Sequence, residues 1–247
     1  MSSAELPAHR VNEWGQPIGP ALPEWVPPPR PARAALNGSY CRLEPLDAEQ
    51  HAADLWRAWS SKPTDASWTY LPYGPFSSES QLTDWIRAQA AAADPLFLAI
   101  LDPDSGKALG WISWMRIAPE AGSIEIGHLA FSPALQRTRM ATEAIFLTIR
   151  ECFRLGYRRV EWKCDALNAP SRAAAERLGF QFEGLFRQAL VYKGRSRDTA
   201  WYSILNQEWI GLEVGFKGWL APENFSADGS QLQSLRTLAA AAVKATI

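Results

Sequence analysis

No stretch of the 247-residue chain approaches the roughly 18–20 consecutive apolar residues that a membrane helix needs, so no membrane partner is expected. Cysteine is scarce. Cys41, Cys152 and Cys164 form no Cys-x-x-Cys pair, and with only three histidines there is no zinc-like spacing, so no metal is expected. The odd cysteine count, with no basic-then-apolar leader after Met1, points to a reducing, cytoplasmic setting. Net charge is nearly absent: 25 basic against 26 acidic residues leave −1. That excludes a nucleic-acid binder working through overall charge. What is abundant is apolar and aromatic material. The chain is 47% hydrophobic, enough for the core of one or two domains. Its 12 tryptophans point either to an aromatic pocket or to a tryptophan-rich core.

Proline divides the chain. Eight of 18 prolines lie in the first 31 residues, including Pro27-Pro28-Pro29. Proline lacks an N–H and fixes φ, so residues 1–36 read as an extended arm, packed on its own domain or on a partner, with Trp14, Trp25 and Val26 as anchors. Strands are expected at 40–46, 96–101, 108–116, 123–131, 159–165, 180–192 and 198–205. Helices are expected at 48–60 behind an Asp47 cap, at 79–92, at 138–155 ending on Gly156, and at Pro170 to Gly179. The 138–155 helix carries Ala141, Ile145, Ile149 and Phe153 at four-residue spacing, one apolar stripe. Helix returns at Asn206. The alanine-rich end reads as a loosely attached helix or frayed tail. The expected division is a proline-rich arm at 1–36, a main domain at 37–210 and a helical extension at 211–247.

The most informative stretch is the strand–loop–helix unit from Glu125 to Phe153. Its loop, Ser132-Pro133-Ala134-Leu135-Gln136-Arg137-Thr138-Arg139-Met140-Ala141, enters a helix. Unpaired N–H groups and the positive dipole end at that point suit a phosphate, and Arg137 and Arg139 add charge. Many helices begin on basic residues, however, so the loop alone is a weak signal.

The resemblance is stronger. Gln136-Arg137-Thr138-Arg139-Met140-Ala141 resembles the Gln/Arg-x-x-Gly-x-Gly/Ala loop of the GNAT acetyltransferases, most closely the RimJ/RimL-like branch. Glu125-Ile126-Gly127-His128-Leu129-Ala130-Phe131 is similar to that family's fourth strand. Asp165-Ala166-Leu167-Asn168-Ala169-Pro170-Ser171 and Arg177-Leu178-Gly179-Phe180 are similar to the elements after it. The resemblance covers roughly residues 38–210. It departs at Arg139, where the family has glycine; an arginine there keeps its N–H, and its side chain must point away or wrap the phosphate.

The resemblance implies an α/β (α+β) fold: a central mixed, mostly antiparallel sheet, splayed between its fourth and fifth strands and flanked by helices. It implies acetyl-CoA as co-substrate. The backbone of Leu129, Ala130 and Phe131 would hold the pantetheine as an added strand beside a bulge. The N–H groups from Gln136 through Arg137, Thr138, Arg139, Met140 and Ala141 to Thr142 would hold the pyrophosphate. Asn168 would bond to the pantetheine, or simply cap its helix. Glu125 matches a family base, or is a structural carboxylate; alternation sets it on the face opposite His128. His128 is a second candidate base, or a core histidine. The family's tyrosine acid falls at Ala175 and is absent; Ser171 is the alternative proton donor, or a helix-start serine. Trp68, Tyr70 and Tyr73 lie in the region that walls the acceptor site in this family. The basic turn Lys193 to Arg197 faces an acidic acceptor, the cofactor phosphates or, as the plainest reading, solvent.

The implied activity is direct acyl transfer from acetyl-CoA to a primary amine, either a protein N-terminus or a small molecule. The alternatives are a succinyl- or other acyl-CoA donor, and a non-catalytic acyl-CoA sensor. A homodimer is compatible with the arm.

Overall fold

The computed structural model describes residues 9–60 and 65–246, so the first eight residues of the arm lie outside the described chain. Within the arm, β1 (Arg10–Val11) and β2 (Pro17–Ile18) form a small separate hairpin. Trp14 and Val26 are exposed and anchor nothing, contrary to expectation. Trp25 does anchor: it lies under the Arg158 guanidinium and fills the space left by the missing Cβ of Gly122. Arg30 then donates to the carbonyls of Ala93 and Ile117, fastening the arm to its own chain.

The main sheet comprises β3 (Leu36–Asn37), β4 (Arg42–Pro45), β5 (Leu96–Leu101), β6 (Ala108–Ala118), β7 (Ser123–Phe131), β8 (Arg159–Asp165), β9 (Gln181–Tyr192) and β10 (Arg195–Leu205). They lie in the order β3-β4-β5-β6-β7-β8-β10-β9. Every neighbouring pair is antiparallel except β7–β8, which is parallel and short. Its rungs are Ser123↔Arg159, Ile124↔Val160 and Glu125↔Glu161. Past Glu125 the two strands part, and this is the splay that the resemblance implies.

Among the described residues, six α-helices flank the sheet: α1 (Ala48–Ser60), α2 (Glu79–Ala90), α3 (Arg139–Arg154), α4 (Ala169–Arg177), α5 (Asn206–Leu220) and α6 (Leu235–Thr246). The caps are chemically ordinary. Asp47, Ser78, Thr138 and Asn168 each accept a backbone N–H from the first turn of their helix. Gly156 and Gly179 end α3 and α4 with φ of +100° and +94°, where a side chain would be strained. The α3 stripe Ala141, Ile145 and Ile149 is buried against Ile112, Trp114, Ile124 and Ile126 on one sheet face. The other face carries α1 and α2 over Phe97, Ala99 and Trp111. A buried carboxylate ties α3 to the start of the sheet: Glu143 accepts the N–H groups of Ser39, Tyr40 and Cys41 at 2.6–2.8 Å.

The end of the chain is not loosely attached at its start. Leu235 and Ala239 of α6 are buried, and Gly215 of α5 lets the α6 backbone approach closely. A Cβ on Gly215 would fall 2.5 Å from Ala239 Cα, whereas one on Gly218 would meet only Leu238 methyls at 3.9–4.0 Å. Helix propensity alone favours alanine over glycine by about 1 kcal/mol at either site. Gly218→Ala is therefore expected to raise the thermal midpoint. Gly215→Ala is expected to lower it through overpacking of about 1–3 kcal/mol. Thermal unfolding followed by circular dichroism checks the opposite signs.

Candidate functional site

The site grows from the parting of β7 and β8. Along β7, the pairing runs from Gly127↔Ser113 to Ala130↔Trp111, so three steps on β7 oppose two on β6. The extra residue is a bulge at His128, whose φ is +52°. The bulge resets the alternation. The His128 ring lies 5.2 Å from Phe97 and 5.5 Å from Tyr73, on the face of the sheet that carries Glu125. The expectation of opposite faces was wrong because simple period-2 counting takes no account of an inserted residue. Beyond Glu125 the β8-side edge of β7, from Ile126 to Phe131, has no strand pairing, leaving an open ladder edge over Leu129, Ala130 and Phe131.

The loop after β7 aims a helix start at this edge. Gln136 Nε2 donates to the Phe131 carbonyl at 2.9 Å, and Arg137 adopts a left-handed φ of +61°. Thr138 caps α3 by accepting from Ala141 N–H at 3.1 Å. Arg139 and Met140, in the first turn, have no carbonyl four residues back to receive their N–H groups. Thr142 Oγ accepts from Arg177 at 3.0 Å, which brings a further cation to the helix start. The Arg139 side chain turns away from the loop. Its guanidinium is stacked 4.1 Å from the Phe225 ring and 4.8 Å from the Tyr40 ring. A shallow depression beside it includes Asp102 and Asp104, which disfavour phosphate.

Glu125 is buried at the fork. Its Oε2 receives Arg116 Nη1 at 2.7 Å and Lys163 Nζ at 3.0 Å. Lys163 also meets Glu161 at 2.7 Å and lies 3.7 Å from the Trp201 ring centroid. Burial holds the Glu125 carboxyl above the ordinary carboxylate range, against the pull of both cations. Burial, with the Arg116 charge, lowers His128 to about 4, so its imidazole is neutral at physiological pH. Sequence reading missed Lys163 and Arg116. The period-2 placement of Glu161 and Lys163 opposite Glu125 was the available signal for Lys163. Arg116 gave none, because its direction depends on a φ of +46° fixed by Asp94, which accepts the N–H groups of Arg116 and Ile117.

Across the cleft, Asn168 accepts Ser171 N–H as the α4 cap. Trp162 Nε1 donates to Ser171 Oγ at 3.0 Å, and the Ser171 hydroxyl is also a hydrogen-bond partner of the Cys164 thiol. Trp68 is buried against Trp59, Trp111 and Phe76, so it belongs to the core. Tyr73 lies between that core and His128, accepting Trp111 Nε1–H on its hydroxyl at 3.1 Å. Tyr70 is partly exposed and donates to Leu167 O. The basic turn does not simply face solvent: Lys193 donates to the carbonyls of Trp68, Tyr73 and Gly74.

The acetyltransferase (GNAT) domain family matches residues 41–181, more than half of the chain. The chain belongs to the GNAT acetyltransferase family. A GCN5-related N-acetyltransferase from Brucella melitensis is 44% identical, superimposes with a TM-score of 0.87, and is matched over 89% of this chain and 100% of its own. YdaF of Bacillus subtilis, provisionally named a ribosomal N-acetyltransferase, is 29% identical over 68% of this chain and 91% of its own length. An acetyltransferase from Salmonella typhimurium, described as modifying the N-terminal serine of a ribosomal protein, is 20% identical with a TM-score of 0.58 and shares the fold. Among the described residues no His, Cys, Asp and Glu cluster has the makings of a metal site, and no helix is long and apolar enough to cross a membrane.

The GNAT fold gives Arg139 a sharp test. Arg139→Ala removes a side chain that is directed away from the loop, and acetyl-CoA affinity is expected to stay within about threefold. Arg139→Pro removes the N–H as well, at a helix position that tolerates proline and after a Thr138 in extended conformation (φ −100°, ψ 164°). Its affinity is expected to fall about tenfold, the cost of one charge-assisted hydrogen bond. Calorimetric titration of acetyl-CoA into both variants measures the difference.

Proposed function

We propose that this GNAT protein transfers an acetyl group from acetyl-CoA to a primary amine, with a protein N-terminus or a small-molecule amine as acceptor. The observation that carries the reading is the join of two features in one place. The unpaired β7 edge from Ile126 to Phe131 leads through a short loop to the dipole-positive start of α3, whose own first turn carries no acidic residue. An extended pantetheine would add to that edge as a strand, and its pyrophosphate would meet the N–H groups from Arg137 to Met140. The name of YdaF supports the RimJ/RimL-like branch, and the description of the Salmonella protein, which shares the fold, is in keeping with an N-terminal acceptor.

Glu125 is the candidate base and Ser171 the candidate acid. The amine gives up its proton to Glu125, directly or through a water, as it attacks the thioester carbonyl. Collapse of the tetrahedral adduct breaks the C–S bond; the leaving sulfur takes its proton through the Ser171 hydroxyl, which water reprotonates in the same step, and Glu125 returns the amine's proton to solvent. Both cations act on Glu125 Oε2, which leaves Oε1 toward Gly127 for this exchange. An α-amine, with a pKa of about 8, presents far more neutral nucleophile near pH 7 than a lysine side chain at about 10.4. That eases the demand on a carboxylate base. His128 acts as a neutral wall of the acceptor site.

The sign of the pH dependence follows. A base works only when deprotonated, so kcat is expected to rise as pH rises through the elevated Glu125 pKa. His128, lowered to about 4, adds no limb between about pH 5 and 8. Glu125→Gln is expected to lose about 100-fold or more in kcat and the rising limb together, with acetyl-CoA affinity kept. The assay is thiol release from acetyl-CoA with a screen of N-terminal peptides and small amines. A limb that survives in Glu125→Gln and vanishes in His128→Gln would reverse the assignment. Failure of wild-type protein to bind acetyl-CoA while binding succinyl-CoA would move the donor to another acyl-CoA.

A further inference from the structure

Past Glu125, no ladder joins the two halves of the sheet, yet they are held together above the gap by side chains reaching the α1–α2 loop. That loop packs on the first half through Trp68 against Trp111 of β6 and Tyr73 against His128 of β7. From the second half, Lys193 at the β9–β10 turn reaches back across more than 100 residues of sequence. Its ammonium donates to Trp68 O at 2.8 Å, Tyr73 O at 3.1 Å and Gly74 O at 2.7 Å. An ammonium has three protons, and here each has a carbonyl. Arg195 beside it donates to Thr69 O at 2.6 Å, and Tyr70 OH donates to Leu167 O at 3.1 Å. Tyr192 OH, bonded to Asp165 Oδ2 at 2.8 Å, fixes the turn to the end of β8. Lys193 and Gly194, with φ of +47° and +69°, form the two-residue hairpin turn between Tyr192 and Arg195.

We propose that Lys193 is a positioning residue for the acceptor: by binding the backbone of Trp68, Tyr73 and Gly74 it holds the loop across the mouth of the cleft and fixes the wall against which the amine is presented. The proposal rests on the acetyl-transfer reading for its function, but the latch itself is a property of the free protein. The three hydrogen bonds of Lys193 all go to the α1–α2 loop and none to the α3 start, so it acts on the acceptor side and on water entry, not on acetyl-CoA affinity. With the latch released, water gains access to the thioester. Its oxygen bonds to the acyl carbon, the C–S bond breaks, and acetate, the CoA thiol and a proton are released.

The test compares wild type with Lys193→Met, which keeps most of the stem and removes the ammonium, and Lys193→Arg, which keeps charge and donors. Hydrogen exchange at the amides of residues 69–74 is expected to accelerate by about tenfold in Lys193→Met, with Lys193→Arg in between. Acetyl-CoA affinity by calorimetry is expected to stay within about twofold, while acceptor-free thiol release from acetyl-CoA rises. Wild-type exchange in Lys193→Met would overturn the latch. So would a loss of acetyl-CoA affinity in step with faster exchange over the whole chain, which would make Lys193 a general stability residue. If wild type itself failed to bind acetyl-CoA, the acetyl-transfer reading would fall, and the exchange rates would still decide the latch.

Discussion

The last rung of the β7–β8 ladder places two carboxylates face to face. Glu125 and Glu161 are direct partners, and like charges at that spacing repel. Lys163 lies against both and completes the rung, with its ammonium over Trp201. The set is enclosed, and removing one member of such a buried ionic group leaves an unpaired charge at a cost of about 3–5 kcal/mol. The ladder closes up to this point and not beyond it. The proposed site uses the opening that follows: the free β7 edge, the helix start beyond it, and the loop that Lys193 holds.

The glycine that the family places in the pyrophosphate loop is replaced by Arg139, and the surrounding chain accommodates the change. Tyr40 and Phe225 take up the guanidinium on the side away from the loop, and Tyr40 OH donates to Leu220 O. Phe225 follows α5, outside the span of the family match. The end of the chain is thus joined to the start of α3 by a cation–π stack, and the residue that breaks the motif becomes a structural tie. The N–H groups that matter for an anion are backbone, and these arginine keeps.

Legibility in the sequence followed the range of the interaction. Asp47, Asn168 and the Ala141–Ile145–Ile149 stripe were readable because caps and helical periodicity act over three or four residues. The sheet order and its splay were readable only through resemblance. The face of His128 was misread because a bulge is set by pairing with β6, not by β7's own pattern. Arg116 was invisible because its direction depends on Asp94, 22 residues away. The basic turn is exposed at residues 193–196, as expected, but the three carbonyls that Lys193 meets lie some 120 residues earlier and gave no local signal. Of the expected acceptor wall, Trp68 proved to be core, Tyr73 packs against that core beside His128, and Tyr70 is partly exposed.

The central claim is that the free edge of β7 and the start of α3 form one continuous site for acetyl-CoA. Hydrogen exchange with and without saturating acetyl-CoA tests it most directly. The account predicts new protection concentrated at the amides of residues 126–131 and 137–140. Acetyl-CoA binding without protection in those two segments, or with protection at the Ser39–Tyr40 and Asp102–Asp104 depression instead, would contradict it.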